Sequence, residues 1–114
     1  MDLQPHKALD LWRIATLEGV RQESPDLSAR QMALLLTVYL TPPPHTVRGL
    51  AEALNVSKPA VTRAIDRLVA HDLIRRKPDE HDRRSVLIQR TVKGSVFLRE
   101  FGETIAHAAG NLDR

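Results

Sequence analysis

The stretch TVRGLAEALNVSKPAVTRAIDRLVAHDLI, residues 46–74, decides how this chain folds. Val47, Leu50, Ala51 and Leu54 fall on one face at helical spacing, and Thr46 is placed to cap the first turn with its hydroxyl. Asn55 and Val56 make a tight turn. Ser57 then caps a second helix, in which Pro59 is tolerated because the first turn needs no amide partner there. Val61, Ala64, Ile65 and Leu68 of this helix face a core, while Lys58, Thr62, Arg63, Asp66 and Arg67 line its other face. Two short helices joined by a tight turn, the second exposing small polar and basic side chains near its start, make a helix-turn-helix over 46–71 with a recognition helix.

Working outward, LIRRKP at 73–78 and RSVLIQR at 84–90 have strand composition, and the charged knot DEHDRR at 79–84 sits at the hairpin tip. A basic β-hairpin directly after a recognition helix is a wing, here over 73–90. Its tip can reach a DNA backbone or minor groove while the helix occupies the major groove. Thr91 caps a last helix over 92–109, with Val96, Phe97, Phe101, Ile105 and Ala108 on its apolar side. Upstream, Ala8, Leu11, Trp12 and Ala15, with Ile14, Leu17 and Val20 beside them, predict an N-terminal helix over 6–22 that serves dimerisation. Ser28 and Gln31 form a capping-box pattern. The helix it opens, 29–40, is apolar nearly all round and is expected to be the buried one, stopped by TPPPH at 41–45.

The fold class is therefore mostly helical α+β, a single winged-helix domain over 1–114 with flanking dimerisation helices. A length of 114 residues supports one modest core, and 42% hydrophobic with 27% charged residues argues against disorder. The absence of Cys excludes disulfides, thiolate catalysis and thiol redox sensing. MALLLTVYL at 32–40 is too short to cross a bilayer, and no basic-then-apolar leader opens the chain, so a cytoplasmic protein without membrane partners is expected. The formal net charge of +3 is unevenly spread: from His45 to Gly94 eleven Lys or Arg face six Asp or Glu, against six and eight in the remainder. A basic segment between more acidic flanks is the electrostatic footprint of phosphate recognition.

The run SKPAVTRAIDRLVAHDLIRRKPDEHDRRSVLIQRTVKG, 57–94, resembles the core of MarR-type winged-helix transcription regulators, including the D-R-R of the wing and the T-x-x-G that opens the next helix. The likeness is close over about 46–94, and the two upstream helices fit by order and length. It implies a DNA-binding homodimer, usually a repressor of nearby genes released by a small-molecule effector. Carried over by position, it puts Ser57, Lys58, Thr62 and Arg63 on the DNA face of the recognition helix and Arg84 at the wing; Arg67, on the same polar face of the helix, and Arg83, beside Arg84 in the charged knot, are the further DNA-binding candidates. Asp82 would orient the wing arginine through an ion pair. Asp72 stands where the family usually has Gly, but Asp tolerates a left-handed backbone. Arg90 replaces a usual apolar residue, which adds a phosphate contact or costs packing. The family's further C-terminal helix is not found before Arg114.

Other chemistries fit less well. His45, His71 and His81 are too far apart for a local metal motif, and the DEHD carboxylates sit in a loop with no apolar pocket to raise a carboxyl pKa, so neither an enzyme nor a cofactor is expected. The competing non-enzyme reading is a winged-helix protein-interaction module without DNA-binding activity. Trp12, Tyr39 and His45 are weak candidates to line an effector cleft, since apolar stripes at helical spacing more often form core or dimer seam. Within the DNA-binding reading, Thr62 and Arg63 are expected at base edges. Arg84 is expected at the minor groove with Arg83 turned to backbone or solvent, because neighbours on a strand alternate faces, and the Arg75–Arg76–Lys77 run near phosphates.

Overall fold

A hydroxyl at each helix start fixes where the central helices begin. In the computed structural model, which describes residues 2–112, the order is α1 (Pro5–Arg21), α2 (Ala29–Leu40), α3 (Val47–Leu54), α4 (Lys58–Ala70), β1 (Ile74–Pro78), β2 (Val86–Arg90) and α5 (Val92–Leu112). Ser28 Oγ accepts from the Gln31 amide at 3.1 Å while Gln31 Oε1 accepts from the Ser28 amide at 3.0 Å, a complete capping box. Thr46 and Ser57 accept from the Gly49 and Ala60 amides at 3.0 and 3.3 Å. At the other ends, Asn55 (φ 54°) and Asp72 (φ 58°) take the left-handed conformation that lets the chain leave α3 and reverse after α4.

The chain divides into two compact units. One comprises residues 27–96. Its core is built from Leu34, Leu35 and Val38 of α2, Leu50 and Ala51 of α3, and Val61, Ala64, Ile65 and Leu68 of α4, with Leu73, Ile74 and Ile88 from the hairpin. Helix α2 is not buried all round: α3, α4 and β2 pack against it, and Leu40 at its end is 76% exposed. The strands pair antiparallel, from Ile74 opposite Arg90 to Pro78 opposite Val86. Strand β2 starts at Val86, two residues later than the composition suggested, because Arg84 and Ser85 belong to the turns of the tip. Its free edge is taken by the segment before α3, where the Ile88 amide donates to the His45 carbonyl at 2.8 Å and Thr46 bridges Leu87. The wing is thereby fixed to the start of the helix-turn-helix.

The Tyr39 hydroxyl, from the last turns of α2, donates to the Leu73 carbonyl at 2.7 Å and accepts from the Thr91 amide at 2.9 Å. Thr91 Oγ1 donates to the Asp72 carbonyl at 2.7 Å and accepts from the Gly94 amide at 2.9 Å, which starts α5. A Cβ on Gly94 would run into Tyr39 Oη and the Leu73 carbonyl, so the glycine of the T-x-x-G pattern is required by close approach. Arg90, beside this cluster, neither lacks a role nor reaches outward: its Nε and Nη2 donate to the Val38 and Thr41 carbonyls at 3.2 and 3.4 Å, and its guanidinium lies 5.6 Å from the Tyr39 ring centre. A cation there complements the negative end of α2 and stacks on an aromatic face.

The second unit holds α1 and α5 from Phe97 onward. Ala15 and Ala108 are buried, and Trp12 meets Phe101 edge-on at 6.4 Å. Leu11, Ile14 and Leu17 are half-buried, whereas Leu9 (70% exposed), Trp12 (53%) and Val20 (73%) remain open. Helix α5 runs to Leu112, beyond the 109 expected from the apolar pattern.

Tyr39→Phe removes one donor and one acceptor and leaves the Thr91 amide unpaired; it is expected to cost about 1–3 kcal/mol. Gly94→Ala, which has to displace backbone, should cost more. Urea unfolding of both variants checks the order, and a Gly94→Ala protein as stable as the parent would contradict the close-approach account.

Candidate nucleic-acid interface

Helix α4 sorts its residues by face. Ala60, Val61, Ala64, Ile65 and Leu68 are buried, and Ser57, Lys58, Thr62, Arg63, Asp66 and Arg67 are exposed. Short side chains at Ser57 and Thr62 keep the first turns slim, and among the described residues Lys58, Arg63 and Arg67 have no carboxylate within ion-pair reach. The one acidic member of this face, Asp66, pairs with Arg76 of β1. Both groups are well exposed, so the pair is worth only about 0–1 kcal/mol, but it links the exposed face of α4 to the wing.

The wing tip consists of two successive turns. The Asp82 amide donates to the Asp79 carbonyl at 3.3 Å, the Ser85 amide to the Asp82 carbonyl at 3.0 Å, and the Asp79 amide to the Ser85 carbonyl at 3.2 Å. Carboxylates hold these turns through the backbone: Asp79 Oδ1 accepts from the His81 amide at 2.9 Å and Asp82 Oδ1 from the Arg84 amide at 3.0 Å. The Asp82 carboxylate reaches the Arg84 guanidinium only at 4.0 Å, and that side chain is 97% exposed. Asp82 therefore shapes the loop more than it grips the arginine. Arg83 and Arg84 both lie in turns, so strand alternation, the ground on which they were expected to point apart, does not govern them.

Of the Arg75–Arg76–Lys77 run, two members are engaged. Arg75 donates through Nε and Nη2 to Gln89 Oε1, its cross-strand neighbour, at 3.2 and 3.1 Å, and Arg76 holds Asp66. Of the residues named for an effector cleft, Tyr39 and His45 are engaged elsewhere. Tyr39 spends its hydroxyl on the α2–α5 cluster, His45 is buried with Nε2 at 3.2 Å from the Thr41 carbonyl, and Trp12 belongs to the other unit, against Phe101. Among the described residues, no three His, Asp or Glu side chains gather where they could hold a metal ion.

Two hollows were not legible in the sequence. One, of about 440 Å³ between α1 and α5, is lined by Ile14, Glu18, Gln22, Glu100, Glu103, Thr104 and His107. The other, of about 420 Å³, lies between the start of α2 and α4, where Ser28, Arg30 and Gln31 meet Ala60, Arg63 and Ala64. Arg30 carried no sequence signal beyond its place in the first turn of α2, more than thirty residues before Arg63. The entire basic segment 45–94 falls within the unit that holds α4 and the wing.

Comparison with known proteins agrees with this geometry. The sequence model of the MarR family matches residues 27–86, just over half of the chain. The HTH-type transcriptional regulator PecS of Dickeya dadantii is 34% identical over 79 residues, 68% of this chain and 48% of that protein, so the chain spans about half the length of the curated relative. A DNA complex of MepR from S. aureus superposes with a TM-score of 0.72 at 21% identity, over 90% of this chain and 78% of that one. The adhesin competence repressor of Streptococcus pyogenes does so with 0.64 at 26% identity, over 98% and 81%.

If Asp82 acts through the backbone, Asp82→Asn keeps the acceptor for the Arg84 amide and Asp82→Ala removes it. Amide hydrogen exchange at Arg84 should then be unchanged in the first and faster by about fivefold in the second, the equivalent of about 1 kcal/mol for one exposed hydrogen bond. Equal acceleration in both would restore the ion pair as the main effect.

Proposed function

The chain belongs to the MarR family, and from that membership we propose that it binds double-stranded DNA sequence-specifically as a homodimer and represses the genes beside its site until a small-molecule effector releases it. The observation that carries this reading is the exposed face of α4, slim and basic at its start, tied through Asp66–Arg76 to a wing whose tip offers Arg83 and Arg84 to solvent. Helix α4 enters the major groove, with Ser57, Lys58 and Thr62 near base edges and Arg67 toward the backbone. Arg84 probes the adjacent minor groove, where a weakly hydrated guanidinium is attracted by the potential of a narrow A·T tract, and Arg83 lies beside phosphates.

Self-association uses the other unit. Leu9, Trp12 and Val20 leave a stripe of large apolar side chains open along α1, and such stripes mark interfaces. A two-fold dimer reads two half-sites about one helical turn apart, which calls for a palindromic operator. Release by an effector follows the family pattern. No helix among the described residues is long and apolar enough to cross a membrane, and a regulator of this kind works in the cytoplasm.

Selection of bound sequences from random duplexes is expected to return a palindrome; failure to retain any duplex would favour the reading as a protein-interaction module. Against the selected site, Arg84→Ala should weaken binding most where the flanks are A·T-rich, by about 1–3 kcal/mol. Unchanged affinity on every flank would leave the wing a solvated hairpin. Sedimentation at micromolar concentration is expected to show a dimer, and a monomer both free and on DNA would overturn the association proposal.

A further inference from the structure

The hollow between α2 and α4 is lined by two guanidinium-bearing residues from different helices, Arg30 and Arg63, over a floor made by Ala60 and Ala64. Both alanines are buried, and their short side chains leave the space open. Among the described residues no carboxylate lines the hollow, and neither arginine has a carboxylate within ion-pair reach. Elsewhere on the same unit Arg48 is held by Glu52, Arg75 by Gln89 and Arg76 by Asp66, whereas Arg67 and Arg83, which also lack a carboxylate partner among the described residues, do not line this hollow. Two unmatched cations left beside one concave space are suited to a single anionic group. The capping box uses the amides of Ser28 and Gln31, so those of Ala29 and Arg30 add their donors at the positive end of α2.

Resting on the DNA-binding reading above, we propose that this hollow seats one phosphate of the duplex, clamped between Arg30 of α2 and Arg63 of α4. The occupant follows from position. With α4 in the major groove, the strand bordering that groove passes along the flank of the helix, and the hollow opens beside Arg63 on that helix. Guanidinium groups match the oxygens of a phosphodiester by paired hydrogen bonds. Two consequences follow. The contact surface extends past the helix-turn-helix to the start of α2, and Arg63 grips backbone instead of reading a base edge, as its position in the sequence had suggested.

The test measures affinity of the dimer for its selected duplex and for a scrambled duplex as salt is varied, with Arg30→Ala, Arg30→Lys and Arg63→Ala, and with Arg99→Ala as a control of equal charge change. One lost phosphate contact lowers the salt slope by close to one unit, so between 50 and 200 mM salt the parent should lose about 3.5 times more affinity than Arg30→Ala does. Arg63→Ala should weaken both duplexes by similar factors, Arg30→Lys should keep most of the slope, and Arg99→Ala should change little. Duplexes carrying a single uncharged methylphosphonate then locate the site: one position should weaken the parent and leave Arg30→Ala unaffected. An unchanged slope for Arg30→Ala, an equal loss in Arg99→Ala, or no such position overturns the phosphate seat while the DNA-binding reading stands. A parent that binds no duplex at any salt overturns both.

Discussion

The structure of the unit that holds α4 and the wing depends on one hydroxyl. Tyr39 stands near the end of α2, yet its Oη touches backbone at Leu73, just past α4, and at Thr91, just before α5. Three chain segments far apart in sequence thus share one donor and one acceptor in a partly buried place, where leaving either unmade is expensive. Gly94 follows from that geometry, since any side chain there would occupy the space of the phenol. Arg90 follows as well: it neutralises the end of the helix that carries the tyrosine. The result fixes both ends of the wing, Leu73 to Ile74 on one side and Arg90 to Thr91 on the other, to the body of the unit.

That fixing matters because the wing has little stability of its own. The hairpin has two strands of five residues each and buries only Ile74 and Ile88 along them. A two-stranded hairpin alone is marginal in water. Its placement comes from the Tyr39 cluster at the base, from pairing of β2 with His45 and Thr46 along its free edge, and from the exposed Asp66–Arg76 pair. The tip is organised differently, by carboxylates accepting backbone amides, which sets the loop while leaving the guanidinium of Arg84 free in solvent. A rigid base and a locally shaped tip keep the prong from collapsing onto its own scaffold.

Charge is used selectively across this unit. Arg48, Arg75, Arg76 and Arg90 have neighbours that hold them in place, by carboxylate, amide or carbonyl. Lys58, Arg63, Arg67, Arg83 and Arg30 have no carboxylate partner among the described residues, and Arg84 has one only at 4.0 Å. A count of basic residues over 45–94 therefore overstates the number available to phosphates, and the count by itself could not say which were free.

Local chemistry was legible in the sequence. The Ser28–Gln31 box, the caps at Thr46, Ser57 and Thr91, the left-handed turn at Asp72 and the sorting of α4 into Val61, Ala64, Ile65 and Leu68 inside against Lys58, Thr62, Arg63 and Arg67 outside all depend on residues within a few positions of one another, which spacing exposes. The family likeness over 46–94 rests on the same local patterns. Relations between distant segments were decided only by the fold. Sequence could not show that Arg90 caps α2 fifty residues earlier, that Tyr39 is committed to Leu73 and Thr91, or that Arg30 lines a hollow with Arg63. A helix periodicity identifies a face but not what covers it, and a charged side chain acquires a partner only once packing sets the distance between elements.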